Sequence, residues 1–214
     1  MLINQKLIKY IKKEILTIYN YRFKNNDKRR KYDLTTIITE MIYFLKTGLS
    51  YSDYGFQNRA PMNEKTLNYY ILLFSKDNIF EIIYSKLYLK LFKNREKGRM
   101  KYQYIDSSFI ANKNGKFKHN GKRNIGRNKF YKNKNGIKLS IICDSIVVPN
   151  SVVFKQGNVN DSVIGLQNLN KLYTIAKNYN PKKKSIIMGD KGYDTIKFRK
   201  TCKEFNLIPL IDYN

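Results

Sequence analysis

Apolar positions recur at helical spacing along the first half of the chain. Asp33 stands just before an apolar stripe over residues 34–45, and Gly48 stands just after it. Because aspartate caps helix starts and glycine helix ends, this segment is predicted to be a capped helix. Three further helices are predicted, over residues 2–19, from near Asn63 and from near Asp77. Together the four helices fit either a helix-turn-helix-like DNA-binding unit or a plain helical bundle.

After Gly98 the pattern changes to alternating and β-branched runs, which are typical of strands. Asp161 and Asp194 each stand before an apolar stripe and are predicted to cap a helix. The fold class is therefore mixed, α+β or α/β, with a helical DNA-binding region over residues 1–97 and a sheet domain over residues 98–214. Five strands are predicted, at residues 102–110, 137–144, 150–156, 185–189 and 207–211.

The chain is strongly basic: of 214 residues, 42 are Lys or Arg and 16 are Asp or Glu, a formal net charge of +26. This charge attracts a polyanion, and nucleic acid is the leading partner, although A- and T-rich codons are another source of the lysine excess. Cys143, Cys202 and a single histidine encode neither a zinc site nor a disulfide framework. The apolar runs are too short to span a bilayer, so we expect an intracellular, DNA-associated protein with no membrane partner.

Residues 112–138 form a basic loop rich in Gly, Asn and Lys, with few apolar side chains to bury. One interpretation is a flexible arm or extended hairpin that follows a phosphate backbone, with Phe117, Phe130 and Tyr131 stacking on bases. The other interpretation is a solvated loop. On the first interpretation, the candidate DNA-binding residues are Arg123, Arg127, Lys132, Lys134 and Lys138.

Two aspartates are predicted to stand at strand ends in this acid-poor chain: Asp106, on which the apolar run of the first strand ends, and Asp190, directly after the fourth. Three meandering strands, a helix and a fourth strand, with acids on the first and fourth, are the order expected of an RNase H-like domain, where those two strands are neighbours. Asp106 and Asp190 are then predicted to share a site for two Mg²⁺ (or Mn²⁺) ions that act on a phosphodiester. The alternative is that each aspartate is only a turn or cap residue.

The chain also resembles the insertion-sequence DDE transposases, in particular the IS four and IS five superfamily. The most specific match is the Gly-Asp-Lys-Gly-Tyr-Asp sequence at residues 189–194, and the resemblance covers about residues 34–214. It implies that Asp106 and Asp190 are the first and second catalytic carboxylates. It also places Arg127 and Lys138 where the family is basic, which suggests DNA phosphate contacts, although a surface lysine on a strand has the same pattern. Further matches lie at residues 104–108, 126–128, 134–140, 143–145 and 157–162.

Some matched positions have simpler explanations. Helix capping explains Asp161 without catalysis, and Gly192 is predicted to let the backbone bend between strand and helix. The family often has glycine in the hairpin turn where this chain has Val147, which leaves the turn geometry open.

The resemblance implies a transposase that cleaves DNA at element ends and joins the freed 3′-hydroxyl to a target. Its partners would be double-stranded DNA, at element ends and target, and further copies of the chain in a homo-oligomer. The family's third acid, a glutamate, lies on a helix after the fifth strand, and this sequence stops as that strand finishes. Neither of the last two acids of the sequence replaces this glutamate: Glu204 precedes the strand, and Asp212 restores the number of carboxylates but not the position. We therefore expect a C-terminally incomplete domain with activity greatly lowered or absent.

Two alternatives to an active enzyme follow from the same residues. The first is a non-catalytic DNA-binding remnant that recognises terminal repeats and represses transposition, and a strand-cleavage assay separates it from the enzyme. The second is a general nucleic-acid-binding protein whose strand-end acids are caps. In that case alanine at Asp190 would alter stability only.

Overall fold

The computed structural model describes residues 5–19, 31–57, 61–93, 101–112, 118–119, 122–123, 125–176 and 184–212. The chain divides into two compact units, Met1–Lys90 and Leu91–Asn214, each with its own buried core. The predicted boundary between residues 97 and 98 falls outside the described residues. No helix in the described ranges is long and apolar enough to cross a bilayer.

The first unit is helical. The side chain of Asp33 accepts a hydrogen bond from the Thr36 N–H at 2.8 Å, which confirms the predicted N-cap. Gly48 has a left-handed φ of 66° and donates its N–H to the Phe44 carbonyl at 3.2 Å, which confirms the predicted end of the same helix. The helices are α1 (Gln5–Ile18), α2 (Leu34–Thr47), α3 (Tyr51–Gly55), α4 (Glu64–Lys76) and α5 (Ile79–Lys93).

Two details of the helical unit differ from the sequence pattern. The helix predicted from near Asp77 is present and begins at Ile79, and Asp77 itself is the C-cap residue that follows α4. The short helix α3 was not predicted, although Ser50 caps it by accepting the Asp53 N–H at 3.1 Å. Serine followed three residues later by an acid is a start signal, but five helical residues leave too short an apolar stripe to detect.

The second unit is a mixed sheet with two helices. The five predicted strands are all present, as β1 (Tyr102–Ala111), β5 (Lys134–Asp144), β6 (Pro149–Gln156), β7 (Ser185–Gly189) and β8 (Leu207–Ile211). Their spatial order in the sheet is β6-β5-β1-β7-β8. β5 is antiparallel to β1 and β6, whereas β7 is parallel to both β1 and β8. This is the RNase H-like arrangement predicted from the sequence. The other elements of this unit are β2 (Lys118–His119), β3 (Lys122–Arg123), β4 (Gly126–Asn128), α6 (Asp161–Ala176) and α7 (Ile196–Glu204).

Both helices pack on the strands through one apolar core. Ile105, Ile142 and Ile187 supply the strand side of this core. Leu169 of α6 and Phe198 of α7 supply the helix side, and none of the five side chains is more than 3% exposed. Because this burial is the main stabilising term, it holds α6 on β5 and β6, α7 on β8, and the two helices against each other.

The helix caps of the second unit lie one residue from their predicted places. Asp161 is the first residue of α6, and Asn160 before it accepts the N–H two residues on at 3.0 Å. α7 is capped by Thr195, which accepts the N–H three residues on at 3.2 Å. Asp194 instead accepts a hydrogen bond from Arg199 at 2.6 Å. The carboxylates of Asp161 and Asp194 are therefore available for side-chain contacts.

The described part of residues 112–138 forms short hairpins. β2 pairs with β3, and β4 pairs with the start of β5, with a 3-10 turn at Lys129–Tyr131 between them. Both pairings are antiparallel. The hairpin form of the arm is therefore present here, and its contact with DNA stays a prediction.

The β5–β6 turn has the left-handed backbone conformation that glycine favours, although the residue there is Val147. Val147 has φ 63°, a left-handed conformation that costs an L-residue about 1–2 kcal/mol. Asp144, which is 5% exposed, accepts the Ile146 N–H at 3.0 Å and the Val148 N–H at 2.9 Å through one carboxylate oxygen. These buried hydrogen bonds hold the turn despite the strained residue.

Candidate active site

Asp106 and Asp190 lie at the same level on neighbouring parallel strands. The register of β1 and β7 pairs Tyr104 with Met188, and two further residues along each strand lead to Asp106 and Asp190. Adjacent strands are about 4.8 Å apart, so the two acids lie side by side at the level where β7 ends. Asp190 directly follows β7 as predicted, whereas Asp106 is the fifth of the ten residues of β1 and not at its end. Both side chains are exposed. The structure thus brings together the two acids singled out from the sequence, and their role as metal ligands stays a prediction.

Each of these carboxylates is oriented by a backbone N–H. One oxygen of Asp106 accepts the Ser107 N–H at 2.7 Å. One oxygen of Asp190 accepts the Gly192 N–H at 3.0 Å, which makes Asp190 the cap of a 3-10 turn at Lys191–Tyr193. Such hydrogen bonds fix the orientation of a carboxylate without neutralising its charge.

A polar network of four side chains lies beside the two acids. The Ser107 hydroxyl donates to Asp161 Oδ1, and the Lys138 ammonium donates to the same oxygen at 2.9 Å. The hydroxyl oxygens of Ser107 and Tyr193 are 2.8 Å apart. Because the one proton of Ser107 is directed to Asp161, the phenol of Tyr193 is the donor in that pair. The network joins β1, α6, β5 and the turn after β7.

Tyr193 stands at the centre of the negative charge. Its side chain is 1% exposed. Burial raises the pKa of the phenol well above its usual value, and the charges of Asp161, Asp106 and Asp190 raise the pKa further. The phenol therefore remains protonated and can keep donating its hydrogen bond.

Gly192 provides space rather than a left-handed bend. Among the described glycines only Gly48 has a positive φ, so the bend predicted for Gly192 does not require glycine. A Cβ at Gly192 would lie 3.1 Å from Asp190 Oδ1 and 3.7 Å from Asp161 Oδ2. Glycine therefore lets the turn approach the Asp190 carboxylate closely, whereas the distance to Asp161 is an ordinary contact.

The predicted DNA-binding residues fall into two groups. Arg127, Lys132 and Lys134 are exposed around the β4–β5 hairpin. Lys138 is different, because its side chain is 11% exposed and its ammonium is paired with the carboxylate at the start of α6. Arg123 belongs to β3, and its side chain lies outside the described residues. The structure thus separates Lys138 from the hairpin and places it in the acidic site.

Sequence reasoning did not assign Ser107, Tyr193 or the Lys138 counter-charge to the site. A signal existed for two of them, because Ser107 directly follows Asp106 and Tyr193 stands three residues after the second acid. No local signal marks the pairing of Lys138 with Asp161, which are 23 residues apart and meet only when α6 packs beside β5.

The donor chemistry of the two exposed acids fits a hard divalent cation, since carboxylate oxygens are its preferred ligands. Within the described ranges, no group of three or more His, Cys, Asp or Glu side chains is placed to hold a metal ion. The nearby Asp161 is turned to Lys138 and Ser107. As metal ligands, Asp106 and Asp190 would supply part of a coordination sphere, and that role stays a prediction.

A sheet of this order, with two acids at one level of its central parallel strands, defines an RNase H-like domain with an acidic site. The chain belongs to the family described as the transposase DDE domain, whose model matches residues 99–213, just over half of the chain. This family implies dependence on a divalent metal ion. Among curated proteins, none matches this chain.

Solved transposase structures show a distant likeness. The Mos1 transposase paired-end complex with left transposon end is 14% identical, with a TM-score of 0.36, and covers 59% of this chain and 39% of its own. The catalytic domain of Mos1 mariner transposase is 14% identical with a TM-score of 0.36, covering 60% and 57%. The piggyBac transposase synaptic complex with hairpin DNA is 14% identical with a TM-score of 0.40, covering 99% and 42%. The chain spans about two fifths to three fifths of these proteins, so membership of the family rests on the domain model.

Proposed function

We propose that this chain is a DDE-type DNA transposase whose Asp106 and Asp190 hold the metal ions, Mg²⁺ or Mn²⁺, with two ions in a complete site. The observation that carries the proposal is the alignment of these two exposed acids on adjacent parallel strands. When bound, the metal supplies charge stabilisation at a reacting phosphodiester. The polypeptide contributes carboxylates pre-oriented by backbone N–H groups and, beside them, a buried tyrosine that is joined to Asp161 through Ser107.

The proposed partner is double-stranded DNA, at element ends and at the target. The net charge of +26 favours a polyanion, and two of the similar structures are complexes with transposon-end or hairpin DNA. The acidic site needs such help, because its own carboxylates repel phosphate. Basic residues on the β4–β5 hairpin supply the attraction. The protein is proposed to act in the cell on DNA and as a homo-oligomer when active.

Metal binding tests the site directly. Isothermal titration of the 214-residue chain with Mn²⁺ is compared for wild type, Asp106→Ala, Asp190→Ala and Glu204→Gln. Loss of a ligand costs at least as much affinity as loss of an outer-shell partner, so each alanine variant should bind Mn²⁺ about ten- to a hundredfold more weakly or worse. Glu204 is exposed on α7, away from Asp106 and Asp190, and its variant should bind normally. Equal binding by all four proteins would remove the metal assignment.

A second candidate function, DNA binding without cleavage, is favoured by the lack of a three-acid cluster within the described residues. The two functions differ in one measurement, the nicking of a labelled duplex that carries the element's terminal repeats, with Mg²⁺ or Mn²⁺. Cleavage that Asp190→Ala abolishes supports the transposase. Tight, salt-sensitive binding of the same duplex with no cleavage supports the binding protein.

A further inference from the structure

Phe130 is presented to solvent by a turn that is itself well anchored. Its side chain is 96% exposed, the largest value among the exposed large apolar side chains of the described residues. Its N–H donates to the Asn128 carboxamide oxygen at 3.0 Å, and Asn128, 5% exposed, donates from its amide nitrogen to the Gly157 carbonyl at 2.7 Å. The exposure of Phe130 is therefore built into the turn.

The residue after Phe130 fixes the turn to the sheet. Tyr131 stacks on Phe109 of β1, with ring centroids 4.6 Å apart and planes at 22°. Gly136 makes room for this stack, because a Cβ there would lie 2.4 Å from the Phe109 ring. The ring of Tyr131 thus secures the turn, whereas the ring of Phe130 is left in solvent and contributes nothing to the core of this unit.

The surroundings of Phe130 are cationic. Arg127, Lys129, Lys132 and Lys134 lie within four residues of it and are all exposed. No aspartate or glutamate occurs between Asp106 and Asp144, so no acid from the same stretch offsets this charge. An exposed aromatic ring among cations has the composition of single-stranded nucleic acid sites, where bases stack on the ring and phosphates meet the charges.

We propose that Phe130 is a stacking residue for an unpaired base of single-stranded DNA, with the hairpin cations on the flanking phosphates. The base must be unpaired because the faces of bases inside a duplex are covered by their neighbours, and a protein ring reaches a face only where a base is unstacked. This site rests on the proposed function, since it gives the transposase a grip on locally opened DNA. It is a binding contact and takes no part in the chemical step.

The hairpin is well separated from the acids. Asp106 is opposite Ile141 on β5, and Lys134 begins that strand seven residues earlier. At about 3.4 Å per residue, the tip lies roughly 24 Å along the strand from the level of Asp106. A substitution at Phe130 therefore leaves the metal site intact, and the two can be tested apart.

The absence of tryptophan from the sequence allows a specific reporter. Phe130→Trp places a single indole at the tip, and Phe56→Trp places one at a control position, which is 82% exposed and has no Lys or Arg between residues 47 and 58. Each protein is titrated with oligo-dT and with a blunt duplex of equal length, without metal. Stacking should quench the indole emission of the Phe130→Trp protein with oligo-dT and far less with the duplex. The emission of the Phe56→Trp protein should change little with either.

Affinity gives the second readout. Phe130→Ala should weaken oligo-dT binding about five- to a hundredfold, which matches the loss of one stacked base, and Phe56→Ala should not. Unchanged emission of the Phe130→Trp protein at saturating oligo-dT, or equal quenching by the duplex, would overturn the proposal.

The stacking site and the metal assignment can fail separately. Loss of Mn²⁺ binding by Asp106→Ala, together with no quenching in the Phe130→Trp protein, would reject the stacking site alone. Quenching in the Phe130→Trp protein, together with no effect of Asp106→Ala on Mn²⁺ binding, would reject the metal assignment alone.

Discussion

At the scale of single residues, backbone N–H groups orient the two candidate acids, and a network of side chains lies beside them. Asp106 and Asp190 each accept one backbone N–H, and beside them the buried phenol of Tyr193 is joined to Asp161 through the Ser107 hydroxyl. Asp161 would add a third negative charge to the site of Asp106 and Asp190, but the ammonium of Lys138 is paired with the Asp161 carboxylate. The consequence is a site with two exposed carboxylates and one that is already neutralised.

The pairing of Lys138 with Asp161 predicts a large effect of removing the acid alone. Asp161→Asn leaves a lysine that is 11% exposed without its counter-charge, so the free energy of unfolding should fall by about 1–3 kcal/mol. Adding Lys138→Met should recover most of this loss, because the unpaired charge is then gone. Urea unfolding of both single variants and the double variant measures the coupling. Simple addition of the two single effects would show that the charges do not interact.

Whole elements set the distances between these residues. α6 brings Asp161 to the strands, and Gly165 on α6 allows the ring of Tyr193 to lie against the helix: a Cβ there would be 2.7 Å from the ring. The same packing surface includes Phe198 of α7, which is fully buried. The two helices therefore position the tyrosine, and the tyrosine positions the polar network.

Gly165→Ala tests this close approach, since two effects of opposite sign compete. Alanine in a helix interior is favoured over glycine by about 1 kcal/mol, whereas overpacking of a core costs about 1–3 kcal/mol. The backbone of α6 cannot easily retreat from a buried ring, so we expect net destabilisation in thermal or urea unfolding. Asn170→Ala, at an exposed position of the same helix, should stabilise by about 0.5 kcal/mol. A stabilised Gly165→Ala protein would mean that Tyr193 can shift.

For the molecule as a whole, net charge and its placement make separate predictions. A charge of +26 should give duplex DNA binding that weakens steeply with salt. If the β4–β5 hairpin contacts phosphates, the double substitution Lys132→Ala, Lys134→Ala should lower the slope of log K against log salt concentration by about 2. The matched control is Lys200→Ala, Lys203→Ala, which removes two exposed lysines from α7. Equal slopes for the two variants would show that total charge, and not the hairpin, governs binding.

The five main strands and most helices of the described chain follow from local patterns. The strands over residues 185–189 and 207–211 match their predictions, because a short apolar run rich in β-branched residues and bounded by turns is enough to predict a strand. The cap of α2 was equally clear, since Asp33 acts on a group three residues away. The short α3 was not predicted, because its apolar stripe is too short to detect. The caps of α6 and α7 were predicted one residue away from their positions, because neighbouring polar residues compete for the same backbone groups.

The sequence by itself determined the family, the strand order and the pair of acids, because each is written in short motifs and periodic runs. The tertiary structure alone decided that Lys138 neutralises Asp161, that Tyr193 is buried among three carboxylates and that Phe130 stands out in solvent. The physical reason is separation: the contacts of the polar network join residues 23, 54 and 86 positions apart. Such contacts depend on how the sheet and the helices pack, so local sequence patterns do not predict them.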